Sequence, residues 1–289
     1  MITGCVSNPL FQLACMNWVY TLANMKKSIL YDNQYWISYT ENGDKNGPPI
    51  LIDHGLIASV DNADLFHSLI QAGAHLISIA RPGYGESSPY VLRAIGDWAD
   101  LVSAVINELQ LSQFDILGVS SGAPYSYAVG YKFPEQLRNI YIFSGIPALY
   151  DQEVQSCWPF PITKDASIEE MELLTHDLFF SNLSVKDLER NDIKDSMKNH
   201  GFGIAQDLIL RSNDWGFDLS EIHQNVYMQH SRGDPNIPLI TAQLTAKMLP
   251  HHELTIKESD EHFSPRALDE FIKLFIVRNL ESEKRISFR

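Results

Sequence analysis

Phe114-Asp115-Ile116-Leu117-Gly118-Val119-Ser120-Ser121-Gly122 is the stretch on which the reading of this chain turns. It reads as a buried strand that runs into Gly-x-Ser-x-Gly, with a helix-like segment, Ala123 to Lys132, directly behind it. Such a turn holds its serine in a strained backbone conformation. Gly118 and Gly122 are small because strand and helix pass too close there for side chains. The turn lifts the Ser120 hydroxyl above the sheet edge and aims the Ser121 N–H at the same space. A nucleophile and an oxyanion donor are two parts that acyl transfer needs. The bare pentapeptide recurs by chance as a tight turn, so the flanking strand and helix carry the reading.

On either side of this stretch, strands are expected at Gln34 to Glu41, Ile50 to Ile52, Leu76 to Ala80 and Ile140 to Phe143. Helices are expected at Asp61 to Gln71 and Ala94 to Leu109, where apolar residues recur at helical intervals. Strand and helix alternate, which implies an α/β fold with a mostly parallel sheet and helices on both faces. Ligand sites in such sheets lie outside the carboxyl ends of the strands, where the glycine-bearing motifs also fall.

From about Ala148 to Glu221 the alternation stops. Helix-like stretches such as Ser167 to Phe180 and Ser184 to Asn199 dominate, and the segment holds about nine of the net negative charges. It is expected to be a helical cap over the sheet (148–221), between the two parts of a core formed by 25–147 and 222–289. Its acids read as a solvated outer face. Met171, Leu174, Leu178, Phe179 and Phe180 are free to pack on the core or to line a pocket. Strands resume at Asn225 to Gln229 and Glu253 to Lys257, with helices at Thr241 to Leu249 and Arg266 to Arg278.

The 289 residues suit one large domain with an insertion, and 45% hydrophobic content suits a sizeable core. A formal net charge of -14 argues against nucleic acid or an anionic membrane surface as partner. Cys5, Cys15 and Cys157 are an odd number without metal-ligand spacing, so no metal and a reduced, cytoplasmic compartment are expected. Residues 1–24 carry no Lys or Arg and too many polar interruptions for a signal or a membrane span. They read as a poorly ordered extension, with Met25 a sensible beginning for the folded part.

A serine hydroxyl needs a base, and ten histidines are on offer. His262 follows an expected strand, on the same rim as Ser120 and downstream of a loop carboxylate. His54 reads instead as a brace for its own loop. Asp234 also follows a strand and orients the imidazole. Asp260 is too near His262 in sequence for that role, and Asp115 lies at the start of a strand. Leu56, just after His54-Gly55, offers a second backbone N–H beside that of Ser121.

With His54-Gly55, Arg81-Pro82-Gly83-Tyr84-Gly85-Glu86-Ser87, Gly118 to Gly122, Gly233-Asp234 with Pro238, and His262-Phe263 in that order, the chain resembles the α/β-hydrolase superfamily. The resemblance covers about residues 28 to 280 and lies with its lid-bearing serine hydrolases: esterases, aminopeptidase-like enzymes and carbon–carbon bond hydrolases. It implies an eight-stranded sheet with a helical cap, a Ser120–Asp234–His262 triad and no cofactor. Trp215-Gly216-Phe217-Asp218 looks like the segment that closes the lid in several members. A serine nucleophile disfavours the dehalogenases and epoxide hydrolases of this branch, which use aspartate. The elbow lacks the tryptophan usual in proline iminopeptidases, which weakens an aminopeptidase reading. The leading expectation is hydrolysis of a small-molecule ester or other acyl substrate. A ligand sensor with slow or no turnover is the alternative from another class, and lyase or perhydrolase chemistry a third. Substrate and oligomeric state stay open.

Overall fold

In the computed structural model, which describes residues 26–163 and 165–281, eight strands form one sheet. The expected extension (1–24), together with Cys5, Cys15 and Met25, lies outside the described residues. In chain order the strands are β1 (Lys27–Tyr31), β2 (Tyr35–Gly43), β3 (Pro49–Asp53), β4 (His75–Ile79), β5 (Phe114–Val119), β6 (Leu137–Phe143), β7 (Asn225–Ser231) and β8 (His252–Lys257). Their spatial order is β1-β2-β4-β3-β5-β6-β7-β8. Pairings β1–β2 and β2–β4 are antiparallel, and all the others are parallel.

The central strands are buried on both faces because successive side chains point to opposite sides. Ile50 and Ile52 of β3 join a cluster with Leu69, Leu268, Phe271 and Ile272, whereas Leu51 joins Val102, Val105, Tyr127 and Val129. The first set places α1 (His67–Gln71) and the closing helix on one face. The second places α2 (Trp98–Glu108) and α3 (Ala123–Lys132) on the other. α2 supplies one apolar stripe, whereas α3 is buried on every side from Ala123 to Gly130. That arrangement fixes the strand ends as the open rim.

Between β6 and β7 the chain is helical: α4 (Gln152–Ser156), α5 (Ile168–Thr175), α6 (Val185–Leu188), α7 (Asn191–Met197) and α8 (Phe202–Leu210). α5 begins with a capping box, Ser167 with Glu170, and continues through a π turn, His176–Phe180. Met171, Phe180, Ile204, Ala205 and Leu208 pack against Val60, Ala80 and Tyr84 of the sheet rim. The stretch from Ser184 to Asn199 is not one helix. It breaks between α6 and α7, and again where Asn199, His200 and Gly201 all take positive φ. After β7 come α9 (Leu239–Lys247) and α10 (Pro265–Phe271), the latter running on as a π turn, Ile272–Val277.

No helix among the described residues is long and apolar enough to cross a membrane. Nor do the described residues contain a group of three or more His, Cys, Asp or Glu that could hold a metal ion. Cys157 is a half-buried free thiol.

Candidate active site

The Gly118–Gly122 turn joins β5 to α3, and Ser120 at its tip has φ of +51°. A left-handed serine is costly, and packing around the turn holds it there. A Cβ on Gly122 would stand 2.1 Å from Asp53 O, and one on Gly118 would stand 2.6 Å from Ser126 Oγ. Gly55 borders the serine from the other side, where a Cβ would come within 3.9 Å of Ser120 Cβ. The turn is therefore pressed against the end of β3, which delivers His54 to Leu56 beside the hydroxyl.

Ser120 Oγ lies 2.9 Å from His262 Nε2, and His262 Nδ1 lies 2.8 Å from Asp234 Oδ2. An ionised carboxylate only accepts, so Nδ1 carries the proton and Nε2 accepts from the serine hydroxyl. Asp234 is buried, and its Oδ1 accepts the N–H groups of Asn236 (2.9 Å) and Ile237 (3.0 Å). Burial works against its charge. The hydrogen bond and charge interaction with His262, with those two N–H groups, outweigh it and hold the carboxyl below its ordinary range.

The two loops that carry Asp234 and His262 are tied together. Gly233 N–H donates to Ser259 O at 2.9 Å, and Asp260 lies where a Cβ on Gly233 would stand. Asp260 itself is exposed and makes no contact with His262 that would rival Asp234. Its packing against Gly233 gives a structural reason for the glycine at 233.

Arg81 organises the other side. Its side chain is buried, donating from Nη1 to His54 O at 2.6 Å and from Nη2 to Gly55 O at 2.9 Å and Asp207 Oδ2 at 2.7 Å. Burial opposes this charge, but Asp207, Tyr84 and Tyr125 outweigh it and keep the guanidinium protonated. Tyr125 O–H donates to Asp207 Oδ1 at 2.6 Å, while Tyr84 O–H sits 2.9 Å from both Leu56 O and Asp207 Oδ2. A trans peptide holds its C=O and N–H on opposite sides. Pinning Gly55 O to Arg81 thus turns the Leu56 N–H the other way. By the same rule, Ser120 O accepting from Ile146 N–H at 3.0 Å turns the Ser121 N–H away from Ile146. Leu56 and Ser121 line one cavity with Ser120 and His262.

His54 braces this loop. Its Nε2 accepts from Arg81 N–H at 3.2 Å and its Nδ1 donates to Gly55 O at 2.8 Å. Burial first, and the Arg81 charge second, push the ring's pKa well down, so it stays neutral.

Just behind, Asp53 accepts from Trp98 Nε1 (3.1 Å) and Ser126 Oγ (2.9 Å). Burial pushes its pKa from 3.8 up to about 6, against the pull of Arg81 and those two donors. The folded state therefore holds the proton more tightly than the unfolded chain does. The stability this contributes is full below about pH 4 and is lost as pH rises through 6, a cost of about 2–3 kcal/mol. Asp53→Asn removes the charge and still satisfies both partners, its carbonyl oxygen accepting from Trp98 Nε1 and its NH₂ donating to Ser126 Oγ. It should unfold at a higher temperature than wild type at pH 8, with the gap closing near pH 4; an equal gap at both would contradict this.

The cavity encloses about 750 Å³ and is walled mainly by apolar side chains. Leu56 and Ile57 come from the sheet rim, and Met171, Leu174, Leu178 and Phe179 from the helical insertion. Those four insertion residues therefore face the pocket, although Leu174 and Leu178 stay partly open to solvent and Met171 is also in the packed cluster. Sequence reasoning missed the Arg81–Asp207 pair. Its signals were slight: an arginine two residues past the buried β4, and a lone acid beside Gln206 in the mainly apolar run of α8.

A family model described as alpha/beta hydrolase fold matches residues 48–265. Among solved structures, an esterase (EaEST) from Exiguobacterium antarcticum superposes with a TM-score of 0.67 at 19% identity, covering 90% of this chain and 99% of that one. The enol-lactonase from Burkholderia xenovorans LB400 gives a TM-score of 0.65 at 12% identity, covering 89% and 100%. At these identities the likeness is one of fold. The uncharacterized hydrolase YcgS of Bacillus subtilis (strain 168) is 24% identical over 110 residues, 38% of each chain. The matched stretch thus spans well under half the length of that curated relative.

Proposed function

The chain belongs to the alpha/beta hydrolase fold family, and on that premise we propose that it is a serine hydrolase that cleaves small carboxylic esters through an acyl-enzyme. The observation that carries the reading is the pair of hydrogen bonds linking Ser120, His262 and Asp234 at the wall of an apolar cavity.

In this mechanism His262 Nε2 takes the hydroxyl proton as Ser120 Oγ bonds to the ester carbonyl carbon. The carbonyl oxygen becomes an oxyanion, stabilised by the N–H groups of Leu56 and Ser121; one such donor is worth about 2.7–4 kcal/mol in the transition state. Asp234 keeps the imidazole in the tautomer that can accept and stabilises it once charged. Collapse breaks the bond to the alcohol oxygen, which leaves with the proton from His262. Water then attacks the acyl carbon, His262 takes its proton, and the acid departs as Ser120 is restored. Residues 148–221 act as the lid that walls the acyl site, over a core formed by 25–147 and 222–289.

The wild-type protein should turn over p-nitrophenyl acetate and butyrate, followed as released p-nitrophenol. The cavity favours short to medium acyl chains over acetate because each further buried methylene contributes about 0.8 kcal/mol. Absence of turnover across the acyl series, together with ligand-dependent assembly with another protein, would instead favour the sensor reading.

A further inference from the structure

Arg211 is a charged residue on the cavity wall for which the described residues supply no close ion pair. It follows α8, lines the cavity, and lays its guanidinium 5.6 Å from the centre of the Trp158 ring. No carboxylate among the described residues lies within ion-pair distance of it. Asp207, one turn earlier, is held by Arg81 and two tyrosines. Asp192, also on the cavity wall, is paired with Arg190 at 2.6 Å. Two buried donors, Arg211 Nε and Trp158 Nε1, have no acceptor from the protein, and both residues border the same space. Burial pulls the Arg211 pKa down to about 10, against the pull of the Asp207 charge, and the side chain stays charged at neutral pH.

A half-buried cation without a close ion pair is costly, and a site with unpaired buried donors favours a ligand that supplies the acceptor. Resting on the hydrolase reading above, we propose that Arg211 and Trp158 form an anion subsite and that the preferred esters carry a carboxylate at the end that meets it. A guanidinium suits a carboxylate because its planar fork matches two oxygens, and the flat Trp158 ring supports it from behind. The net charge of -14 repels anions at long range, so a preference for an acidic ester would have to come from a local cation.

Monomethyl adipate and methyl hexanoate test this, since they differ only in a terminal carboxylate against a methyl group. For the wild type, kcat/KM should favour monomethyl adipate by about tenfold or more, the size of one charge-assisted hydrogen bond. In Arg211→Gln that ratio should fall by about 30-fold, mostly through KM, and Arg211→Lys should restore part of it. A structural role alone would lower both substrates together and leave the ratio unchanged, which would overturn the proposal, as would a wild-type preference for methyl hexanoate. Should the wild type hydrolyse neither ester, the hydrolase reading fails separately. Calorimetry with monomethyl adipate then decides the subsite: binding to Ser120→Ala that is lost in Ser120→Ala with Arg211→Gln supports it, and equal binding or none overturns it.

Discussion

Ser120→Ala is expected to lower kcat for p-nitrophenyl butyrate by about 10⁶, the loss typical when a hydrolase of this kind loses its nucleophile. The reason lies in the geometry: Oγ is the atom His262 Nε2 accepts from, and it stands on a left-handed turn braced by Gly122 against Asp53. Removing one oxygen leaves that bracing untouched, so the unfolding temperature should stay close to that of wild type. Any residual acceleration would come from the Leu56 and Ser121 donors and from binding, about 10³–10⁴ over water. A variant that folds and keeps wild-type turnover would rule out Ser120 as the nucleophile.

Asp234→Asn should be nearly as damaging, about 10⁴ in kcat. Here the surroundings decide which way the new amide points. Asn236 and Ile237 both donate to Oδ1, so the amide oxygen occupies that place and its NH₂ faces His262. Two donors cannot share a hydrogen bond, and the imidazole must turn Nδ1 into an acceptor and carry its proton on Nε2. In that tautomer it cannot take the Ser120 proton. KM should move little, because Asp234 sits behind the histidine and does not line the cavity. Steady-state kinetics on p-nitrophenyl butyrate would show the split; a drop of less than tenfold in kcat would count against the orienting role.

How much of this could be read in the sequence follows from which interactions are local. Ser120, Asp234 and His262 were legible because each closes a parallel strand, and parallel strands bring their carboxyl ends to one rim whatever the intervening chain does. Strand β1 was not: Lys27, Ser28 and Leu30 are exposed on an edge, so Lys27–Tyr31 shows no buried run. Helix α8 escaped for the opposite reason. Phe202 to Leu210 is buried on every side, and a helix without a polar face has no period to detect. Ser184 to Asn199 has helical composition, yet the left-handed backbone at Asn199 and His200 breaks it, where Asn199 Nδ2 donates to Gly83 O.

The polar scaffold of the site was the least visible part. Arg81 and Asp207 are 126 residues apart and meet only because the insertion folds back on the rim of β4. Nothing in sequence tells an arginine which of many acids it will pair with. Arg211 illustrates the same limit from the other side: its interest lies in a partner it lacks, which only the packed wall of the cavity makes apparent.

Reaction of the protein with a fluorophosphonate, followed by peptide mass analysis and parallel assay of p-nitrophenyl butyrate turnover, tests the nucleophile most directly. One phosphonyl group on the peptide that contains Ser120, with turnover falling in proportion to labelling, is the expected result. Full turnover in fully labelled protein, or labelling at a different residue that tracks the loss, would contradict a Ser120 acyl-enzyme.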